Sequence, residues 1–221
     1  MDVVLSEFLN VEIMLKVAPL ILAGLLQTLL LCAILVPLGL AGGLGAMLLA
    51  TSQRRAVRWP AIVLIDLFRS FPPLVLLIFL YAGLPFAGIR LPPMAAVCVA
   101  FFLNASSYYG EIYRAGVESV PRGQVEAGRS TGLTAGQTFL FVTLPQAVRN
   151  VLPELLSNTV ELIKLTTLAS VVSAPELLHS ADLARSLTYN TSPLIMAAAL
   201  YLVLLWPLVR VIRRLEHRLA P

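Results

Sequence analysis

Residues 107–145 read SYYGEIYRAGVESVPRGQVEAGRSTGLTAGQTFLFVTLP. This is the longest interval of the chain without an apolar run of membrane length, and arginines are spread through it. Ser119 is of a type that caps helices, and Pro121 suits a first helical turn, where the backbone N–H groups have no intrahelical partner. Gly132 predicts the end of that helix, because glycine commonly follows a helix. The pattern therefore predicts a short helix over these residues.

A second helix is predicted directly after the first. Thr134 with Gln137 three positions later has the form of a capping box, in which each side chain bonds the backbone N–H of the other residue. The helix that starts there is expected to run toward Leu144 and Pro145. Two helices that meet at Gly132 indicate an ordered surface rather than a disordered loop.

The composition is that of an integral membrane protein. The chain has 221 residues, of which 58% are hydrophobic and 13% are charged, with a mean hydropathy of +0.87. Soluble domains are about one quarter charged. The formal net charge of +4 could suggest a nucleic-acid partner, but the cations lie in short loops between apolar runs. They therefore indicate orientation in a bilayer, and we expect no nucleic-acid partner.

The apolar runs predict one all-α transmembrane domain over residues 1–221 with five spans. About 20 helical residues cross the hydrocarbon core of a bilayer. The first 16 residues lack the basic start of a signal peptide, so the first run is expected to remain as a span. The spans are expected at about 17–50, 59–84, 91–109, 151–172 and 193–209. Residues of about 110–146 form the loop between the third and fourth spans, and residues 173–192 are expected to be a polar loop.

The first two spans contain signals for packing and for a break. Gly39 and Gly43 form a small-xxx-small pair that allows another helix to approach closely. In the second span, Trp59 suits the membrane interface, and Asp66 and Arg69 are spaced to pair on one helix face. The two prolines at 72 and 73 should interrupt the helix just beyond that pair. Arg69 either belongs to a self-satisfied pair or lines the pathway of a transported solute.

The fourth span is unusual because it contains charges. Glu154, Asn158 and Glu161 fall on one helix face, with Lys164 close to Glu161. Charged side chains inside a span normally face the bundle interior, a partner or a water-filled cavity. This face is therefore either part of a translocation path or an internal ion pair that fixes helix packing.

The distribution of cations predicts the orientation. Of the 16 lysines and arginines, three lie on the side of the N-terminus and two lie within spans. The other eleven lie on the opposite side: in the 110–146 loop, at Arg149 directly after it, in the loop before Trp59 and in the C-terminal tail from Arg210 to Arg218. The excess predicts a cytoplasmic C-terminus and a cytoplasmic 110–146 loop, with the N-terminus outside.

The central stretch resembles a known family. Glu126-Ala127-Gly128, three residues, Gly132, nine residues and then Val142-Thr143-Leu144-Pro145 resembles the EAA loop of membrane permeases from bacterial ATP-binding-cassette (ABC) importers. Residues 108–146 are similar to the polar amino-acid subfamily. Further matches are Phe68-Arg69 with Pro72, Gly83-Leu84-Pro85, Lys164 with Thr166, and Pro175-Glu176-Leu177-Leu178.

The chain also departs from the family pattern. Gly128 stands where the family usually has alanine, which loosens a helix by about 1 kcal/mol. Ser70, Phe71, Pro73, Leu76 and Leu165 also differ from the residues common in related permeases. Those positions are where substrate contacts are expected.

The resemblance implies the fold of a type I ABC importer permease in the bacterial cytoplasmic membrane. Two copies, or one copy with a paralogue, would enclose a pathway through the lipid. A soluble ATPase dimer would bind the cytoplasmic loop, and an extracytoplasmic solute-binding protein would deliver an amino acid. ATP would bind to the ATPase, with no cofactor bound to this chain.

Site residues follow from the same resemblance. The loop residues implied in ATPase coupling are Arg122, Glu126, Ala127, Gly128, Arg129 and Gly132, with Glu111 and Arg114 supporting the approach to them. The residues expected to line or gate the pathway are Arg69, Glu154, Asn158, Glu161, Lys164, Thr166 and Thr167. Both charge signs occur in this set, as a zwitterionic amino acid requires.

Two other functions remain open. A self-sufficient carrier could use Glu161 and Lys164 as a proton-coupled pair, although five spans without an internal repeat argue against most repeat-built carriers. A structural membrane scaffold is the third possibility. The sequence contains no nucleophile elbow, zinc signature or Walker lysine, so we expect a transport subunit rather than an enzyme.

Overall fold

The computed structural model describes residues 6–219, with side chains described as far as Arg214, and the described residues contain helices and no strands. The predicted all-α fold is therefore confirmed for this part of the chain. Arg218 of the predicted basic tail has its side chain outside the described residues. The α-helices are α1 (Val11–Ala50), α2 (Arg55–Ser70), α3 (Pro73–Ile78), α4 (Pro93–Glu118), α5 (Arg122–Ser130), α6 (Ala135–Thr138), α7 (Leu144–Leu165), α8 (Leu177–Thr188) and α9 (Ser192–Leu219).

Within residues 6–219, three stretches of helix are long and apolar enough to cross a membrane: Ser6–Ala50, Ala135–Val172 and Ser192–Arg214. A fourth is possible if the broken pair Arg55–Ser70 and Pro73–Ala87 counts as one span. The predicted third span, 91–109, lies within α4, which is not in that set. Multi-pass membrane insertion is therefore supported, while the count of five spans stays a prediction.

The break predicted at the double proline is present. The second helix ends at Ser70, and α3 begins at Pro73 with Pro72 directly before it. Beyond α3 the chain continues through a π-helical turn at Phe79–Gly83 and a 3₁₀ turn at Leu84–Ala87. A proline lacks the N–H that would continue the helix, so an interruption here follows from the sequence.

The helix predicted from Thr134 does run to Leu144 and Pro145, but the prediction that it is separate from the fourth span was wrong. Helical structure continues from Ala135 to Val172, through a π-helical turn at Phe139–Thr143. In that turn the Leu144 N–H bonds the carbonyl of Phe139, and the Gln146 side-chain amide donates to the Val142 carbonyl at 2.8 Å. The altered spacing accommodates Pro145 inside a continuous helix. The predicted fourth span, 151–172, is therefore the later part of a longer helical segment.

The expected polar loop at 173–192 contains a helix, so this prediction was also wrong. Helix α8 runs from Leu177 to Thr188. Its buried residues Leu177, Ala181 and Ala184 form one apolar cluster with residues of α1 and α9. Their spacing of four and three positions is that of an amphipathic helix, and the charged residues between them conceal this pattern in the sequence.

The chain divides into two compact units. The described residues of Met1–Pro37, Pro72–Phe102 and Val160–Arg210 make the first unit, and those of Leu38–Phe71, Leu103–Thr159 and Val211–Pro221 make the second. The cluster around α8 belongs to the first unit. The 110–146 segment belongs to the second.

Within the second unit, the glycines of α1 allow α4 to approach closely, as the sequence predicts. A Cβ atom added to Gly43 would lie 2.5 Å from the Cβ of Tyr109 and 2.9 Å from the backbone nitrogen of Gly110. A Cβ added to Gly110 would lie 3.0 Å from the Cβ of Ala46. The two backbones therefore touch where side chains are absent.

We expect Gly43→Ala to lower the stability of the protein, because an extra methyl group in a close-packed contact typically costs about 1–3 kcal/mol. Gly45→Ala is the matched control, since a Cβ at Gly45 would meet no atom of the described residues within 4 Å apart from its chain neighbours and its own helix backbone, and alanine should gain up to about 1 kcal/mol of helix propensity. Thermal unfolding in detergent measures both. Equal unfolding temperatures for the two variants would contradict the close contact.

Candidate coupling surface and pathway residues

The first helix of the predicted coupling loop is α5, and it begins differently from the prediction. Pro121 occupies the N-cap position, and no side chain caps the helix. The hydroxyl group of Ser119 instead donates to the Gly116 carbonyl at 2.7 Å and accepts from the Asn150 side-chain amide at 2.8 Å. The prediction that Ser119 caps α5 was wrong, because Ser119 joins the end of α4 to the start of α7.

The end of α5 agrees with the prediction from Gly132. This glycine has a φ angle of +90°, and its N–H bonds the Arg129 carbonyl at 3.1 Å. The Leu133 N–H reaches the Gly128 carbonyl at 3.4 Å. This pair of bonds is a Schellman motif, which satisfies carbonyls at a helix end and requires a left-handed residue where glycine fits best.

The second helix begins with the predicted capping box. The Gln137 N–H donates to the Thr134 hydroxyl at 3.3 Å, and the Thr134 N–H donates to the Gln137 side-chain oxygen at 2.9 Å. Both ends of the turn between α5 and α6 are thus fixed by local hydrogen bonds. The turn is an ordered corner.

Gly128, which departs from the family pattern, lies on the buried side of α5. A Cβ atom added there would lie 3.1 Å from a methyl carbon of Thr138 and 3.3 Å from one of Val142. Without a side chain, α5 packs closely on the helical segment that follows it. The loss of helix propensity at Gly128 is therefore accompanied by closer packing at the corner.

The other coupling-loop residues face outward. Arg122, Glu126, Ala127, Arg129 and Gly132 are exposed. The Arg129 guanidinium also donates to the Leu133 carbonyl at 2.7 Å. The structure therefore brings together a rigid corner and an exposed surface with charges of both signs.

The approach to this corner is lined by ion pairs on α4. The Arg114 guanidinium donates to Glu111 and reaches Glu118 at 2.6 Å. The hydrogen bonds from Arg114 hold the pKa of the Glu111 carboxyl below its usual value. The expected pairing of Arg69 with Asp66 is wrong for the described residues, because Arg69 lies 3.8 Å from Glu111 instead.

Side chains of α4 also donate hydrogen bonds to the carbonyl groups at the end of α2. The Asn104 side-chain amide donates to the Phe68 carbonyl at 3.2 Å, and the Tyr108 hydroxyl donates to the Arg69 carbonyl at 3.3 Å. The last carbonyls of a helix have no intrahelical partner, and the break at Pro72 leaves them open. These roles of Asn104 and Tyr108 were missed from the sequence, although polar residues four positions apart in an apolar span are a usable signal.

The predicted pathway residues lie in and after α7. Lys164 and Glu161 form an ion pair of 2.5 Å, and both side chains are about half exposed. Glu154 is exposed and Asn158 is half-buried. The predicted Glu161–Lys164 contact is therefore present, whereas its role in transport stays a prediction.

The two threonines that follow differ from each other. Thr166 is fully buried, and its hydroxyl donates to the Ile163 carbonyl at 2.7 Å. Thr167 is partly exposed and donates to the Lys164 carbonyl at 2.8 Å. Of the two, Thr167 is better placed to contact a solute.

Glu176 is a buried acidic residue that sequence analysis matched to the family but assigned no role. Its carboxylate accepts the N–H groups of Leu178 at 2.9 Å and His179 at 2.6 Å, and the Tyr201 hydroxyl at 2.9 Å. It therefore caps α8 and joins it to α9 within the first unit. Burial raises the pKa of the Glu176 carboxyl, and the bonds from the two N–H groups and Tyr201 offset part of that rise.

These features define a helical membrane protein with an ordered corner in its 110–146 segment. Residues 41–221 match the family described as the binding-protein-dependent transport system inner membrane component. The chain belongs to this family. It is a permease subunit of an ABC importer, and it is a multi-pass protein of the bacterial inner membrane.

Curated relatives include several proteins of Bacillus subtilis. One of them, named probable amino-acid ABC transporter permease protein YckA, is 36% identical over 190 residues, which cover 85% of this chain and 84% of the relative. Another, named probable glutamine ABC transporter permease protein GlnM, is 33% identical over 212 residues, covering 96% of this chain and 98% of the relative.

Solved structures give the same fold. A crystal structure of an amino acid ABC transporter with histidines matches with a TM-score of 0.86 and 34% identity, covering 93% of this chain and 96% of that chain. An inward-facing form of the MetNI methionine ABC transporter matches with a TM-score of 0.73 at 19% identity, covering 91% and 97%. The second match supports the fold alone.

We expect Gly132→Val to weaken binding of the ATPase subunit roughly tenfold, because a left-handed backbone costs an ordinary residue about 1–2 kcal/mol and a β-branched residue more. Gly132→Asn is the matched control, since asparagine tolerates this conformation better. Co-purification of the ATPase with tagged permease measures the effect, and membrane insertion should be unchanged. Normal association of the valine variant would show that the corner does not contact the ATPase.

Proposed function

We propose that this chain forms the translocation pathway for an amino acid, or a related small polar solute, in an importer driven by a separate ATPase. The ordered corner between α5 and α6, with its exposed face, is the observation that supports this proposal most directly. A self-sufficient carrier would not need such a surface. The names of the relatives, which are amino-acid permeases, support the solute class.

The proposed complex contains two permease chains, either identical or paralogous. A dimer of ATPase subunits binds ATP and contacts the exposed residues of α5 on each permease chain. An extracytoplasmic solute-binding protein delivers the amino acid. Closure of the ATPase dimer moves the two corners, and each rigid corner passes that motion to the helices that follow it. Hydrolysis takes place on the ATPase subunits, and this chain acts as a transport subunit.

We propose that the pathway is lined or gated by Arg69, Glu154, Asn158, Glu161, Lys164 and Thr167. A zwitterionic solute carries a carboxylate and an ammonium group, and the Glu161–Lys164 pair of the first unit offers both complementary charges. The half-exposed pair of Glu161 and Lys164 supports the proposal, because a lysine at the centre of a span carries an insertion cost of about 2.5–3.5 kcal/mol unless it is paired or wet. Thr166 is left out of this set because it is buried.

The proposed orientation follows from the cations. The side of the coupling loop carries eleven cations, and the side of the N-terminus carries three. This excess favours a cytoplasmic coupling loop and C-terminus with the N-terminus outside. The same side is required if α5 contacts an ATPase that uses cytoplasmic ATP.

Deletion of this chain from its host should abolish ATP-dependent uptake of particular amino acids, and the wild-type chain should restore it. A panel of unlabelled amino acids that compete with the labelled one identifies the solute.

A single cysteine at Gln137, in a chain without Cys32 and Cys98, should resist a membrane-impermeant thiol reagent in intact cells. Uptake by the purified chain alone would contradict the importer, and labelling of Gln137 from outside would contradict the orientation.

A pair of variants in the same host tests the pathway role. Lys164→Met alone should impair the protein, because it leaves Glu161 without its partner. We expect the double variant Lys164→Met with Glu161→Gln to reach the membrane in normal amounts and yet to take up solute at least roughly tenfold more slowly, the loss that about 1.4 kcal/mol represents. Arg185→Gln, which removes an exposed cation from α8, is the control. Normal uptake by the double variant would show that the pair is structural.

A further inference from the structure

Helix α2 has an outer face that is not explained by the coupling loop or the pathway. Arg55, Trp59, Val63 and Leu67 follow one another at intervals of four residues, which places them along one side of the helix. Trp59 is 59% exposed, Val63 60% and Leu67 45%. Arg55 is exposed as well. The result is an apolar stripe with a cation at its N-terminal end.

The opposite side of α2 belongs to the interior of the second unit. Arg58, Ile62, Ile65 and Asp66 line a cavity of about 540 Å³. The other charged residues that line this cavity are Glu111, Arg114 and Glu118 of α4. The cation of Arg58 therefore faces carboxylates of its own chain, whereas those of Arg54 and Arg55 do not line the cavity.

Arg54 and Arg55 form no ion pair with any carboxylate in the described part of the chain. Both are exposed. A guanidinium group presents several N–H donors in a fixed plane and binds phosphate oxygens in a bidentate manner. Two adjacent arginines at the end of an apolar stripe therefore offer phosphate-binding groups directly beside a surface for acyl chains.

We propose that Arg54 and Arg55 bind the phosphate group of an anionic phospholipid whose acyl chains lie along Trp59, Val63 and Leu67. Tryptophan is enriched at the level of lipid headgroups, so Trp59 sets the depth at which the arginines meet the bilayer surface. Arginines close to a membrane surface are attracted to anionic lipids by about 1 kcal/mol each. The inference does not depend on the identity of the transported solute.

The same pair of residue types occurs a second time in the chain. The Arg210 guanidinium lies 5.2 Å from the ring of Trp206 in α9, and both residues are exposed. The chain has two tryptophans in all, and each has an arginine four positions away. This recurrence favours a lipid over a protein as the occupant of the surface on α2, because a protein partner that binds one helix gives no reason for the pair on another.

Quenching of tryptophan fluorescence by brominated lipids tests the proposal. The full chain with Trp206→Phe, reconstituted in phosphatidylcholine bilayers, retains Trp59 as its one tryptophan. Brominated phosphatidylglycerol or brominated phosphatidylcholine is then added at a low mole fraction. We expect the anionic lipid to be preferred at Trp59 by at least about fivefold, which corresponds to about 1 kcal/mol from one arginine.

Two variants make the result specific to the site. In the double variant Arg54→Gln with Arg55→Gln, the two brominated lipids should quench the fluorescence of Trp59 about equally. Arg58→Gln removes one cation from the same turn on the cavity side and should keep the preference within roughly twofold. If Arg58→Gln abolished the preference for the anionic lipid as fully as the double variant does, the preference would come from the general surface charge, and the proposal would be overturned.

Quenching itself separates the remaining outcomes. No quenching of Trp59 by either lipid would place this face against protein and overturn the proposal. Equal quenching by both lipids in the chain with both arginines intact would show that the face meets the bilayer without a headgroup site, and would overturn it as well. Loss of ATPase co-purification in the double variant with an unchanged lipid preference would assign the arginines to the partner subunit.

Discussion

Backbone hydrogen bonds that proline leaves open are the constraint on which the structure depends. Inside a bilayer each unsatisfied N–H or carbonyl costs several kcal/mol, and no water is at hand to replace the lost partner. At the break before Pro72, side chains of α4 supply the donors for the last carbonyls of α2. At Pro145 the helix changes its spacing through the π-helical turn at Phe139–Thr143. One proline thus interrupts a helix, and the other is accommodated within one.

The need to satisfy groups at helix ends also explains how Glu176 is buried without an ion pair in the described part of the chain. An isolated carboxylate away from water is costly, yet this one accepts two backbone N–H groups at the start of α8 and the hydroxyl of Tyr201. Those N–H groups have no intrahelical partner at the start of a helix, and the positive end of the helix dipole favours a negative charge there. The carboxylate and the helix end therefore satisfy each other.

The sequence predicted local features better than the boundaries between elements. The capping box at Thr134 and the stop at Gly132 depend on a few neighbouring residues, and each is present; the close contact of α1 has a local signal in the spacing of Gly39 and Gly43, although its partner α4 is distant in the chain. The continuation of the helix past Pro145 and the existence of α8 depend on contacts with distant segments, which the sequence does not display. The pairing of Arg69 was misassigned for this reason, since Glu111 is 42 positions away in the chain and Asp66 is three. The residue types were enough to indicate the family, whereas the partners of the charged residues could be assigned only from the three-dimensional fold.

The relative sizes of the interactions suggest what makes the coupling corner rigid. The ion pairs of Arg114 with Glu111 and Glu118 are partly exposed, and such pairs contribute about 0–1 kcal/mol each, less in salt. An added methyl group in a close-packed contact costs about 1–3 kcal/mol, and a left-handed backbone at a residue other than glycine costs about 1–2 kcal/mol. The corner is therefore determined mainly by backbone geometry at Gly132 and by close packing at Gly128. The ion pairs along α4 contribute less to the rigidity of the corner.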